Sequence, residues 1–329
     1  MNIAVVILNW NGKDLLKKFL PSVVEHSQEA MVYVADNAST DNSVAYVKAE
    51  FPSVKIIQNK DNGGYAKGYN DALKHIEADI FCLVNSDIEV TADWLKPIIS
   101  KFESEENTAI IQPKLLDYKN KTHFEYAGAT GGFIDKYGYP FCRGRIFDTI
   151  EEDKGQYNSS TKIFWASGAC FFIRANVFKT LNGFDESFFA HMEEIDLCWR
   201  AYNLSLSIKY VPESIVYHVG GATLQNTNPK KTYLNFRNSL FTLTKNASGN
   251  LFLLIFVRLF LDGLAAFKFL IELKFTHIFA ILKAHFSFYL NLPKLLKQRK
   301  TLKHFKNYYY LKSIVWAYFV NKNKVFDNL

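Results

Sequence analysis

From its first residues the chain alternates short apolar runs, polar turns and amphipathic stretches. Residues 3–8 (IAVVIL) form a continuous apolar run of the kind that makes a strand buried on both faces, and Asn9-Trp10-Asn11-Gly12 closes it as a turn. Leu15, Phe19, Leu20 and Val23 then recur at helical spacing. The cycle repeats with a strand over 31–35, a polar turn over 36–41 and a helix over 44–51. A short third strand follows over 55–58, Asn62-Gly63-Gly64-Tyr65 opens a helix running to about Ile76, and 80–84 (IFCLV) makes a fourth strand. Strand, turn and helix repeated in this way predict a doubly wound α/β sheet, with a mostly parallel core flanked by helices. In such a sheet, ligands sit beyond the carboxyl ends of the strands. Three polar clusters fall there and should lie side by side: 9–12, 36–41 and Asn85-Ser86-Asp87.

The pattern loosens between about 115 and 164, where Gly-rich and Tyr-rich stretches predict loops and short antiparallel strands. Beyond it come a strand over 171–173 and a helix over 175–181 stopped by Asn182-Gly183. A helix from about Glu193 to Tyr202 and two strands, 207–211 and 215–218, follow. The character changes again at 251–271, which is mostly apolar yet carries Arg258, Asp262 and Lys268. Each charge costs roughly 2.5 kcal/mol or more at a bilayer centre, which argues against a spanning helix. Lys294, Lys297, Arg299, Lys300, Lys303 and Lys306 then precede Tyr308-Tyr309-Tyr310. Apolar helix, basic cluster and interfacial aromatics suit a helix lying in a membrane surface through 251–310. The same features equally suit helices that cap the domain or join two copies in a homodimer. The expected organisation is a sheet-based unit over 1–240 and a basic, aromatic-rich helical extension over 241–329.

Composition sharpens two points. Of 329 residues, 49% are hydrophobic and 22% charged, which excludes disorder as the general state. The net charge of +7 is unevenly placed: residues 251–329 hold thirteen Lys and Arg against three acids, so the first 250 residues are slightly acidic. A basic tail points to an anionic surface, whereas the acidic body and the lack of any recognition motif speak against nucleic acid as the partner. Cys82, Cys142, Cys170 and Cys198 form no C-x-x-C pair, which removes zinc-knuckle and redox readings and fits a reducing compartment. The opening apolar run is too short for a signal peptide. The expectation is a cytoplasmic protein, peripheral on the inner face of the cell membrane.

The residue types at the strand ends suggest a chemistry. Asp87, directly after a buried strand, is a hard oxygen ligand suited to Mg²⁺ or Mn²⁺, which complete their shells with phosphate oxygens and water; a plain turn uses the same residues. Asp36 and Asn37 can hydrogen-bond a base or ribose, or else form an Asx-turn that caps the next helix. Gly63-Gly64 lets backbone approach a ligand closely. Further along, His191 precedes Glu193, Glu194 and Asp196. On a helix Glu193, Asp196 and Arg200 share a face and allow an Asp–Arg i,i+4 pair, which leaves Glu194 on another face, able to act as a general base. Acids favoured by the dipole in a first helical turn are the plainer reading.

In order and spacing, these residues resemble the family 2 glycosyltransferases of GT-A fold, in particular the bacterial rhamnosyltransferase-like branch. The resemblance covers about residues 3–240. It rests on Asn9-Trp10-Asn11-Gly12, VADNASTDNS over 34–43, NKDNGGYAKGYN over 59–70 and Asn85-Ser86-Asp87. Further along it takes in Ser167-Gly168-Ala169-Cys170, Gly183-Phe184-Asp185-Glu186, Glu193 to Arg200, and His218-Val219-Gly220-Gly221. It implies inverting transfer of a sugar from a nucleotide-diphosphate donor, with dTDP-rhamnose or a UDP-sugar favoured, to a hydroxyl of a glycan or a lipid-linked cell-envelope acceptor. By this resemblance Asp36 binds the base with Asn9 nearby, while Asn62, Gly63 and Gly64 lie along the nucleotide. Asp87 holds Mg²⁺ or Mn²⁺ on the diphosphate with His218 close by, and Glu194 is the catalytic base. Asn85 and Ser86 complete the counterpart of the family's D-x-D, with Asn85 in place of its first acid. Glu193-Glu194 replaces the usual Glu-Asp, and Arg237-Asn238 recurs after the His, where Arg237 would contact phosphate. The competing reading is a catalytically silent nucleotide-sugar-binding protein. A processive synthase is set aside because Arg-Trp occurs nowhere in the chain.

Overall fold

The computed structural model describes residues 1–220 and 228–329, so Gly221 of the His218 motif lies outside the described residues. The first half follows the predicted alternation: β1 (Ile3–Asn9), α1 (Lys13–Glu25), β2 (Ala30–Asp36), α2 (Ser43–Glu50), β3 (Lys55–Gln58), α3 (Gly64–Leu73) and β4 (Ile80–Asn85). There follow β5 (Ile88–Val90), α4 (Leu95–Ser104) and β6 (Thr108–Asp117), then a meander of β7 (Gly132–Ile134), β8 (Pro140–Cys142), β9 (Arg145–Ile146) and β10 (Thr149–Ile150). The loosened pattern over 115–164 thus becomes a separate four-stranded antiparallel sheet. The chain continues through β11 (Thr161–Lys162), β12 (Cys170–Arg174), α5 (Ala175–Thr180), α6 (Glu193–Asn203) and β13 (Ser207–His218). Helices α7 (Pro229–Asn246), α8 (Leu251–Ile271), α9 (Phe275–Lys300) and α10 (Ile314–Phe319) complete it.

The main sheet runs β11-β13-β6-β12-β4-β1-β2-β3, with β5 paired to β13. Its β4-β1-β2-β3 half is parallel, whereas β12 is antiparallel to both β4 and β6. Strand alternation sorts side chains onto two cores. Ile3, Val5 and Ile7 of β1, with Ile80, Cys82 and Val84 of β4, face α1 and α4. Ala4 and Val6, with Phe81 and Leu83, face α3 and α6. The stretches read as two strands at 207–211 and 215–218 form one strand, β13, whose register against β6 shifts between Val211 and Ile215. Pro212 lies within that step and cannot donate to a ladder, so the strand bulges rather than ends.

Residue 240, the expected unit boundary, falls inside α7. Leu240, Phe241 and Leu243 of that helix share one core with Leu254, Phe288, Leu295 and Phe326 of the extension. Polar groups join the two parts as well. The predicted i,i+4 pair forms, Arg200 Nε donating to Asp196 Oδ2 at 2.9 Å, with Asp196 fully buried. Asp196 also accepts from Lys245 Nζ at 3.0 Å and from Asn246 Nδ2 at 2.8 Å, both on α7. Lys245 donates in addition to Asp185 at 2.7 Å, where Gln298 of α9 also donates at 3.0 Å. Burial would raise the Asp185 carboxyl, but Lys245 outweighs it and holds the group well below the usual carboxylate range.

Removing Lys245 leaves the fully buried Asp196 with Arg200 as its cation and the mostly covered Asp185 with no cation among the described residues. Lys245→Met should therefore lower the unfolding free energy by about 3–5 kcal/mol in urea denaturation at pH 7. The Asp185 contribution is present above the unfolded carboxyl value and lost as pH falls through the depressed folded value. The gap between wild type and variant should accordingly narrow below about pH 4.

Candidate active site

Parallel pairing sets Asn9 beside Asp36 at the carboxyl ends of β1 and β2, and Leu8 beside Asn85 of β4. Asn9 Nδ2 donates to Asp36 Oδ1 and Ser43 Oγ, both at 3.0 Å, and Asp36 Oδ2 accepts the Ser39 N–H at 2.9 Å in the Asx-type turn. Asn9 Oδ1 is buried with no hydrogen-bond partner. Asn37 Nδ2 donates to Asn62 Oδ1 at 3.2 Å and to the Gly64 carbonyl at 3.0 Å, and its Oδ1 accepts from Asn59 at 2.9 Å. Asn62 in turn accepts the Gly64 N–H at 3.0 Å. The predicted Asn9, Asp36, Asn37, Asn62, Gly63 and Gly64 therefore come together as one hydrogen-bonded floor. Gly64 has a φ of +81°, and a Cβ there would sit 2.4 Å from the Phe189 carbonyl oxygen, so only glycine fits. A Cβ on Gly63 would meet only the flexible Lys67 side chain.

Past Asn85 and Ser86, Asp87 precedes β5, whose pairing with β13 sets Ile88 opposite His218. His218 Nε2 lies 3.1 Å from Asp87 Oδ1, and its Nδ1 lies 3.1 Å from Glu125 Oε1. All three side chains are buried. Burial alone would push the imidazole down, but the carboxylates of Glu125 and Asp87 prevail and hold it up at about 10. Sequence reasoning missed Glu125. It lies in the irregular stretch after β6, where no periodicity marks it, and only the fold brings it to His218. Among the described residues no group of three or more His, Cys, Asp and Glu is arranged to hold a metal alone. Asp87 and His218 nonetheless offer the oxygen and nitrogen donors that a divalent ion with phosphate co-ligands accepts.

Glu193 and Glu194 begin α6. Asn85 N–H donates to the Ala169 carbonyl at 2.9 Å, and a Cβ on the neighbouring Gly168 would lie 3.6 Å from the Glu194 carboxyl carbon, so Glu194 stands at the same sheet end as Asp87. Burial pushes Glu194 up to about 7, although N–H groups of Glu194, Ile195 and Gly168 pull against it. Burial and then the Glu194 charge push Glu193 well above the usual carboxylate range as well. Oε2 of each is buried with no hydrogen-bond partner. His191, pushed down to about 4 by burial, is neutral.

The turn before α6 is strained. Phe189, His191 and Met192 have φ values of +65°, +69° and +73°, a region where side chains other than glycine are uncommon. Asn238 Nδ2 reaches the carbonyls of Phe188, Ala190 and His191 at 3.1, 2.9 and 2.7 Å. Arg237 Nη2 donates to the Ser187 and Phe188 carbonyls at 3.0 Å each, and its Nε to Asn238. Arg237, expected at phosphate, is here directed onto this turn. Tyr65 N–H donates to the Phe189 carbonyl at 2.8 Å, which ties the turn to the start of α3.

A family model described as "Glycosyl transferase family 2" matches residues 4–181. The N-acetylglucosaminyl-diphospho-decaprenol L-rhamnosyltransferase of Mycobacterium tuberculosis is 23% identical over 235 residues, covering 66% of this chain and 75% of that protein. Among solved structures, the mannosyltransferase PcManGT from Pyrobaculum calidifontis, in complex with GDP-Man and Mn²⁺, superposes with a TM-score of 0.54 at 12% identity. That likeness covers 91% of this chain and 72% of the other. GalNAc-T7 with UDP, GalNAc and Mn²⁺ gives a TM-score of 0.57 at 14% identity over 74% of this chain, which spans about half (48%) of that one. These structures share the GT-A-like fold, a central sheet with flanking helices.

Asn238→Ala removes three hydrogen bonds from the strained turn and touches neither acid. Turnover should fall roughly ten- to a hundredfold through misplacement of Glu194, while nucleotide affinity stays within about twofold of wild type. Steady-state kinetics beside calorimetric titration would check the split.

Proposed function

Because the chain belongs to glycosyl transferase family 2, we propose that it moves a sugar from a nucleotide-diphosphate donor to a hydroxyl of a glycan or lipid-linked cell-envelope acceptor, with inversion. The observation that carries this reading is Glu194: a carboxylate with a value of about 7 and an unpartnered oxygen, at the sheet end that also holds Asp36 and Asp87. In this reading the floor formed by Asn9, Asp36, Asn37 and the 62–64 loop receives the nucleotide. Asn85 and Ser86 flank the diphosphate. Asp87 and His218 would hold Mg²⁺ or Mn²⁺, which neutralises charge on the leaving diphosphate. His218 must release its proton to serve as a ligand, and Glu125 behind it fixes the ring. Glu194 takes the proton from the acceptor hydroxyl.

The rhamnosyltransferase name of the mycobacterial relative supports a rhamnosyl or other hexosyl donor, which this reading takes to be dTDP-rhamnose or a UDP-sugar, used in glycan biosynthesis at the inner face of the cell membrane. A decaprenol-linked substrate belongs to the mycobacterial relative by its name. No helix among the described residues is long and apolar enough to cross a membrane.

Glu194→Gln keeps the shape and removes the base. With dTDP-rhamnose and UDP-sugars as donors, it should cost about 10²–10⁴-fold in turnover and leave donor binding intact. Since only ionised Glu194 accepts a proton, wild-type kcat/KM should rise with pH through a midpoint near 7. A variant that transfers sugar at the wild-type rate, or a pH profile flat across 6–8, would contradict the assignment.

A further inference from the structure

Two helices of the extension show an apolar face that nothing covers. On α8, Phe252, Phe256, Phe260, Phe267 and Ile271 are each at least 60% exposed, and their spacing of four or seven residues sets them along one side. On α9, Phe275, Phe279, Leu282, Phe286 and Leu290 repeat the arrangement, each more than half exposed. The two helices meet across a short turn at Leu273, where φ is +56°. Monomeric soluble proteins rarely leave a contiguous apolar face of this kind open to water.

The charges that argue against a spanning α8 are compatible with contact at a membrane surface. Arg258 Nε donates to Asp262 Oδ1 at 2.8 Å, and both residues are buried. The guanidinium lies 3.8 Å from the centre of the Tyr139 ring, and the Tyr139 hydroxyl donates to Asp262 at 2.8 Å. His285 of α9 comes within 3.2 Å of the other Asp262 oxygen. This closed cluster faces the β7–β8 hairpin and leaves the outer side of α8 uncharged from Leu251 to Phe267. Along α9 the exposed stripe changes from apolar to basic: Lys297 lies seven residues, two turns, beyond Leu290, with Lys294, Lys300, Lys303 and Lys306 also exposed.

We propose that α8 and α9 form a hairpin that seats the chain on an anionic lipid bilayer, its Phe-rich side immersed among the acyl chains and its lysines at the phosphates. The inference rests on the membrane-surface reading above and names its device. Charge selects the bilayer over a second copy of the chain: two such faces would bring two strongly basic segments together, whereas anionic lipid attracts them.

The test is co-sedimentation of the full chain with vesicles of phosphatidylcholine alone and of phosphatidylcholine mixed with phosphatidylglycerol. Wild type should partition to the mixed vesicles. Phe256→Glu and Phe260→Glu should each weaken partitioning about tenfold, since an immersed phenylalanine becomes a charge. Lys297→Glu with Lys300→Glu should reduce mixed-vesicle binding to the level seen with phosphatidylcholine alone. The four side chains lie outside the core, so melting curves and donor hydrolysis in detergent should match wild type. Failure to bind either vesicle, binding indifferent to the phenylalanines, or a sedimentation-equilibrium dimer that Phe256→Glu dissolves would each overturn the proposal. Loss of donor hydrolysis in wild type would instead count against the transferase reading and leave the vesicle result standing.

Discussion

Three non-glycine residues held at positive φ within four positions cost of order 1–3 kcal/mol each, so the turn over 189–192 exists only where its surroundings over-determine it. Those surroundings come from far along the chain. Asn238 and Arg237 on α7 take the carbonyls of residues 187, 188, 190 and 191, and the first turn of α3 takes the carbonyl of 189. What the turn delivers is the position of Glu193 and Glu194. A relaxed turn there would start α6 differently and move the carboxylate away from the strand ends. Gly64 belongs to the same constraint, because the Phe189 carbonyl needs the space a side chain would fill.

This dependence explains why the C-terminal helices share a core with the sheet unit. Asp196, one turn past Glu193, is satisfied by Lys245 and Asn246 of α7, and Asp185 by Lys245 and by Gln298 of α9. The candidate base therefore stands on a helix whose start and middle are both fixed by residues beyond 236. Any contact that holds α8 and α9 at a surface also holds the frame on which Glu194 is mounted.

Much of this was legible from residue order. The strands over 3–8, 31–35 and 80–84 form where the apolar runs lie, and the polar clusters after them share one sheet edge. The Asp196–Arg200 pair follows from helical spacing and forms as read. What escaped the sequence depended on long-range contact. Glu125 carries no periodic signal, and its meaning comes only from His218, which β13 brings beside it. Arg237 reads as a phosphate contact through the resemblance, and its guanidinium is directed onto backbone carbonyls of a turn that no propensity predicts. Arg258 and Asp262 read only as an obstacle to a spanning helix, because their burial cannot be seen along a line of letters. As an inward pair, they leave the outer face apolar.

In the proposed function the strand-end floor and Asp87 together receive a nucleotide diphosphate with its metal. Thermal shift of the purified chain against UDP, dTDP, GDP and CMP, each with Mn²⁺ or with EDTA, tests it most directly, because a ligand that binds only the folded state raises the midpoint by mass action. The account predicts a rise for one diphosphate that disappears with EDTA. Midpoints unmoved by every nucleotide in the presence of Mn²⁺ would contradict it.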